Sequence, residues 1–455
     1  MNLDSRKTKL RNLARSGAIK VISKRMFRES ILLMLASTVA FAQVPTAIDI
    51  EKARKAFAEA QQVSEKEGGQ LWGKTLYGPM FFVDPATRAV VANEPDAEGM
   101  LHKEGSVYVG TLPQRVIVAD SPTEWAGKRW TMLRWPVPEN TLTRRTKFAH
   151  ELFHRIQPTL HLDAPDLPNL QLDTAEGRLW LQLEWRALAA ALVDSGPAQT
   201  TAIRDALAFR THRRQLFPEA AKSEASLEIA EGIPEYTGLV AAEPDRNAAR
   251  WRAVATLTDP DLSITFVRSF AYTSGPAYGL LLDQRLPGWR TKVTTQSDLG
   301  DMLASTLQSP YDGAAIVPAE ARALSYGKSA IQIAETDRAA TVEAVKARYR
   351  DLLVEGPTLT LDSAGRFSFS FNPSALISLG NAGTVYPTFH VADAWGTLDV
   401  TDGVLVPTDF SRATVAAPSD INGPHLQGPG WTLDLSPGWQ VVPSSRLGSY
   451  TVRKQ

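Results

Sequence analysis

The chain has 455 residues, 44% hydrophobic and 22% charged, a globular rather than disordered composition in a length that exceeds one ordinary domain. Its 49 Lys and Arg match 49 Asp and Glu, which excludes the positive excess that phosphate-backbone binding needs. There is no cysteine, so disulfides are excluded and the hydrophobic core must suffice.

Nine basic residues from Arg6 to Arg28 precede an apolar run, Ile31 to Phe41, that ends in Ala40-Phe41-Ala42. This is the pattern of an export signal over residues 1–42, cleaved after Ala42, with Met26 as an alternative start. The run is short for a permanent transmembrane helix, and no other segment is apolar enough for one. The mature chain is expected to be secreted or periplasmic. Removing residues 1–42 takes away nine basic and two acidic residues, leaving a net charge of −7, so nucleic acid is not an expected partner.

Ala53, Ala56, Phe57 and Ala60 fall at helical spacing between Ile48 and Glu65, and Gly68-Gly69 follow as a stop. From Leu76 to Trp135 short runs punctuated by Gly and Pro predict a small sheet, with strands at Met80 to Val83, Ala89 to Ala92, Ser106 to Val109, Val116 to Val118 and Arg129 to Trp135. The last of these lies just before the most informative segment, and a sheet edge there would hold an extended peptide by main-chain pairing. An ordinary strand covered by its tryptophans reads equally well.

That segment is Phe148-Ala149-His150-Glu151-Leu152-Phe153-His154, a His-Glu-x-x-His pattern. On a helix, residues four apart share a face, so the two imidazoles can grip one zinc ion. Glu151 then lies beside the ion, where a carboxylate can take a proton from activated water and return it to a leaving amine. Thr residues before the motif and Pro158 after it are consistent with a bounded helix.

A catalytic zinc usually takes three protein ligands and keeps a fourth position open. A third histidine at metzincin spacing is missing: Gln157 and Leu160 occupy the relevant places and His161 falls one residue late. Helical patterns then predominate from Thr174 to Val354, with helices expected over 174–193, 201–217, 223–240 and 338–354. Within them Glu184 sits in an apolar stretch, Leu179 to Leu188, where an ionised carboxylate must be paired with arginine or coordinate a metal.

The stretch Ser226-Leu227-Glu228-Ile229-Ala230-Glu231-Gly232-Ile233-Pro234-Glu235-Tyr236 resembles the second motif of gluzincin peptidases, a Glu-Gly pair followed by an aromatic residue. This group includes the aminopeptidase N type, the glycyl aminopeptidases and the bacterial collagenases, and the resemblance covers the two motifs only. It implies that Glu231 is the third zinc ligand, with Glu184 and Glu235 as alternative ligands or as partners that orient a histidine. Ala230 and Pro234 depart from the aminopeptidase N pattern. Gluzincins add a later tyrosine or histidine that stabilises the oxyanion. The stretch Ser269 to Gly279 offers Tyr272 and Tyr278, of which Tyr278, beside the Gly275-Pro276 turn signal, is expected to serve.

From Gly356 onward, alternating runs at Thr358 to Leu361, Phe367 to Phe371, Trp431 to Leu435 and Tyr450 to Val452 predict a β-sandwich or partial barrel. The expected architecture is α+β: a zincin-like metallopeptidase domain over residues 43–355 and a β-rich domain over residues 356–455. The expected function is an exported zinc-dependent peptidase acting on peptides or proteins. Two alternatives stand beside it: a binding protein with a structural or inactive metal site, and a zinc amidase acting on a non-protein amide.

Overall fold

Asp49 opens the first helix, α1 (Ile50–Glu67): its carboxylate accepts from the Lys52 amide, and Gly68 closes the helix at φ +63°. The computed structural model describes residues 48–113, 115–167, 169–260, 265–307, 316–365, 367–371 and 376–455. The expected signal over residues 1–42, with its alternative start at Met26, lies outside the described residues. Among the described residues no helix is long and apolar enough to cross a membrane.

Six strands follow: β1 (Met80–Val83), β2 (Ala89–Ala92), β3 (His102–Glu104), β4 (Val107–Thr111), β5 (Ser121–Trp125) and β6 (Lys128–Arg134). They form one sheet in the order β3-β4-β2-β1-β6-β5, in which β1 and β6 are parallel and the remaining pairs antiparallel. All four residues of β1 are buried because both sheet faces are covered. Phe82 stacks on Phe57 of α1, with ring centroids 4.6 Å apart. Phe81 packs on the opposite face against Trp125 and Trp130.

Two sequence expectations change here. Val116 to Val118 form no strand: Arg88 donates to the carbonyls of Leu112, Pro113 and Val116, so a guanidinium rather than a neighbouring strand satisfies that backbone. The strand before the His-Glu-x-x-His segment is interior, with β1 on one side and β5 on the other. Its backbone is already paired, and the sheet edge belongs to β5.

The helical part begins with α2 (Thr141–Ile156), capped by Asn140, whose side chain accepts from the Thr143 amide. Next come α3 (Ala175–Val193), α4 (Gly196–Leu216) and α5 (Ala220–Leu227), which runs through a π turn (Glu228–Gly232) into α6 (Ile233–Ala242). They are followed by α7 (Arg246–Thr258), α8 (Phe266–Arg285), α9 (Leu299–Ala304), α10 (Ile316–Ala323) and α11 (Lys328–Arg350). One hydrophobic cluster joins α1, one face of the sheet and these helices, with the nearly all-buried α3 at its centre. Gly275 and Pro276 do not make a turn: both lie inside α8. Gly275 instead lets α8 cross the π turn at close range, since a Cβ there would overlap the backbone of Gly232.

Beyond α11 and a second π turn (Asp351–Glu355) the chain is β-rich. Strands β7 (Thr358–Asp362), β8 (Ser368–Phe371), β9 (Ile377–Ser378), β10 (Thr384–Tyr386), β11 (Phe389–Asp393) and β12 (Gly396–Val400) come first. Then follow β13 (Val404–Val406), β14 (Arg412–Ala416), β15 (His425–Gly428), β16 (Trp431–Leu435), β17 (Trp439–Pro443) and β18 (Tyr450–Lys454). They build a seven-stranded sheet, β17-β18-β7-β14-β13-β10-β9, and a five-stranded sheet, β15-β16-β12-β11-β8. The two share one core, to which Leu359, Leu361, Val404 and Val415 contribute from one side and Val391, Leu398, Trp431 and Leu433 from the other. In β16, Trp431, Leu433 and Leu435 are buried while Thr432 and Asp434 are exposed, the alternation read from the sequence. The chain is thus a mixed α and β protein with a sheet-rich C-terminal region.

Candidate metal centre

Residues four apart on α2 bring His150 and His154 to one face, with their Nε2 atoms 3.0 Å apart. The third member comes from the π turn. The Oε2 atom of Glu231 lies 3.6 Å from His150 Nε2 and 3.4 Å from His154 Nε2. One donor atom from each of the three residues falls within 4.8 Å of the others.

The π turn decides which glutamate faces the imidazoles. In an unbroken α-helix Glu228 and Glu231, three apart, would share a face. The wider turn rotates Glu231 away: Glu224 and Glu228 face the arginines of α4, while Glu231 and Glu235 face α2. Pro234 helps set this local geometry, because it has no N–H to offer the Ala230 carbonyl. Gln157 answers that vacancy by donating from Nε2 to the carbonyls of Ile229, at 3.2 Å, and Ala230, at 3.4 Å. Its Oε1 accepts from His154 Nδ1 at 2.8 Å, so one amide ties the π turn to a histidine.

The other histidine is held in the same sense, with His150 Nδ1 2.9 Å from Glu235 Oε2. Acceptors at both Nδ1 atoms hold an N–H there, so the Nε2 atoms that face Glu231 are the nitrogens a metal would take in place of any proton they carry. Glu231 is fixed in turn: Tyr272 donates to its Oε2 at 2.6 Å and Arg268 to its Oε1 at 3.0 Å. Arg268 also pairs with Asp166, and the Tyr272 ring stacks on His150 with centroids 5.5 Å apart. Close packing of α6 on α2 completes the frame, since a Cβ on Gly238 would lie 2.6 Å from the Thr146 carbonyl oxygen.

The electrostatics favour a cation between these side chains. Burial disfavours the imidazolium of His150, but the bonds to Glu231 and Glu235 and the charge of Glu151 outweigh it and raise its pKa to about 10. Burial likewise opposes ionisation of Glu231, yet the two histidines hold its carboxyl well below the usual range. Two neutral imidazole nitrogens and one carboxylate oxygen are a donor set that suits zinc. By this chemistry His150, His154 and Glu231 fit a metal ion.

Glu151 is buried, and its Oε2 has no hydrogen-bond partner. Burial raises its pKa, against the pull of both imidazoles. It lines, with His150, Glu235 and Tyr272, a cleft of about 400 Å³ that extends between α2, α6, α7 and α8. A carboxylate with a free oxygen, next to a cation site and open to a cleft, can accept and deliver a proton.

The remaining sequence candidates lie elsewhere. Glu184 is fully buried and accepts from Arg210 at 3.3 Å, from Arg213 at 2.5 Å and from the Tyr278 hydroxyl at 2.6 Å. It satisfies the demand that a buried carboxylate be paired, through the arginines of α4. Tyr278 is therefore committed to that network, and the tyrosine beside the histidines is Tyr272. The two are six apart on a continuous helix and so point in different directions. Arg268 and Tyr272, four apart, face Glu231, while Ser274 and Tyr278, four apart, face α3, where Trp185 donates to Ser274. His161 is exposed, at the end of the short 3₁₀ turn after α2. Gln157 and Arg268 have no role in the motif logic, and the one signal for Gln157 was its position three residues after His154. No family of known proteins, no curated protein and no solved structure matches this chain.

Proposed function

We propose that this chain is a zinc-dependent peptidase of zincin-like fold and gluzincin type, exported from the cytoplasm, that hydrolyses peptide bonds in peptides or proteins. The observation that carries the reading is the convergence of His150, His154 and Glu231, with both histidine Nδ1 atoms held by acceptors, beside a buried Glu151 whose Oε2 is unpaired.

His150, His154 and Glu231 would hold the ion. Zinc so held supplies a Lewis acid that polarises a carbonyl and makes water acidic enough to lose a proton near neutral pH. Glu151 accepts that proton and passes it to the leaving amine. Tyr272, which lies beside the histidines where Tyr278 does not, takes the part expected of Tyr278: its hydroxyl, which donates to Glu231 here, turns from that carboxylate to the oxygen on which negative charge develops. Gln157 and Glu235 keep the histidines in the required tautomer.

The test is metal content of the purified mature chain, together with cleavage of a peptide library with and without a chelator. Stoichiometric zinc and chelator-sensitive cleavage are the expected results. Bound zinc with no cleavage of any peptide would remove the peptidase assignment.

A further inference from the structure

The cleft beside Glu151 combines two chemistries. His150, Glu151 and Glu235 line it together with Tyr272; its other polar groups are the cations Lys147 on α2 and Arg252 on α7 and the hydroxyls of Thr143, Thr146, Thr256 and Thr273, of which Thr256 already donates to the Arg252 carbonyl. Leu239, Ala253 and Pro276 supply its apolar lining. Lys147 is already paired with Asp120 at 2.9 Å. Arg252 is exposed, and among the described residues no acidic side chain pairs with it.

An exposed guanidinium fork in the lining of a small, partly apolar cleft is suited to a carboxylate, which it can bind through two parallel hydrogen bonds. A space of about 400 Å³ has room for roughly one or two amino-acid residues, at the lower end of ordinary ligand clefts. Glu151 opens into this same cleft, so on the proposed peptidase reading the fragment seated here is the one that receives the proton: the amine product, C-terminal to the cut. From these relationships we infer that the cleft recognises a carboxylate on a short leaving fragment, with Arg252 as the specificity-determining residue. The carboxylate is supplied by the free C-terminus of a peptide or by an Asp or Glu side chain. The inference rests on the peptidase reading for its direction, and on the cleft lining for its chemistry.

The experiment uses the full mature, zinc-loaded chain and a set of short peptides of one sequence that end in a free acid, in an amide, or in an amidated Glu. Wild type, Arg252→Ala and Arg252→Lys are compared by kcat/KM. The same peptides are titrated calorimetrically into zinc-loaded Glu151→Gln and Glu151→Gln/Arg252→Ala. Wild type should favour a carboxylate-bearing peptide over the plain amide by about 10- to 100-fold, mostly in KM, as expected for a charge-assisted contact. Arg252→Ala should abolish that preference and Arg252→Lys should keep part of it. Activity on the free acid alone assigns the C-terminus as the source, and equal activity on the amidated Glu peptide assigns the side chain. Equal turnover of acid and amide, unchanged by Arg252→Ala, overturns the inference and leaves the peptidase reading intact. If nothing is cleaved, the peptidase reading falls, and the calorimetric arm decides the cleft by itself. Carboxylate-dependent binding lost in the Arg252→Ala background upholds carboxylate recognition, and its absence refutes it.

Discussion

Gly275 of α8 lies against Gly232 of the π turn so closely that a Cβ on Gly275 would overlap the Gly232 backbone. This crossing carries Arg268 and Tyr272, earlier on the same helix, to the carboxylate of Glu231. Gly275→Ala should therefore push the helices apart, costing about 1–3 kcal/mol of stability. It should also weaken zinc binding, measured by chemical unfolding and by competition with a chromogenic chelator.

Glu151→Gln keeps the shape of the side chain and removes its basicity. On the peptidase reading the variant should retain zinc at wild-type stoichiometry and lose about 10²- to 10⁴-fold in kcat. Metal analysis and steady-state kinetics on the same preparation check both halves.

Gln157→Ala removes the bond that orients His154 and uncovers the carbonyls of Ile229 and Ala230. Zinc affinity should fall about 10- to 100-fold, the usual effect of losing a group that orients a ligand. Glu235→Ala should act similarly through His150. Competition titration measures both, and unchanged affinity in both variants would dismiss the orienting role.

The two tyrosines of α8 should separate cleanly. Tyr272→Phe is expected to lower kcat about 10²-fold with the fold intact, as for loss of one oxyanion donor. Tyr278→Phe is expected to cost about 1–2 kcal/mol of stability, because Glu184 loses a buried donor, and to leave turnover of the folded protein within a few-fold. Kinetics and urea unfolding of the pair test this. The reverse pattern would return the catalytic role to Tyr278.

Acid should destabilise the helical core through Glu224. Burial opposes its ionisation, but Arg213, Arg214 and Arg210 outweigh burial and bring its pKa down from 4.5 to about 2. A carboxyl depressed on folding stabilises fully above its unfolded value, and that contribution is lost as pH falls from about 4.5 toward 2. Urea unfolding across this range should show declining stability, with a shallower decline in Glu224→Gln.

The parts of the site and fold readable from the sequence are those governed by local rules. Spacing alone places His150, Glu151 and His154 together, because i and i+4 share a face on any helix. The alternation of Trp431, Leu433 and Leu435 likewise marks a half-buried strand whatever its neighbours. Which acidic residue meets the histidines was open between Glu231, Glu184 and Glu235. The structure turns Glu231 toward them through a π turn and leaves Glu184 to Arg210 and Arg213. Gly275-Pro276 carries the composition of a turn, yet packing against Gly232 and α3 keeps that segment helical, and this directs Tyr272 rather than Tyr278 at the site. Periodicity reports the face of an isolated element. The partner of that face, and any local change of helical phase, depend on contacts between residues distant in the chain, which only tertiary packing decides.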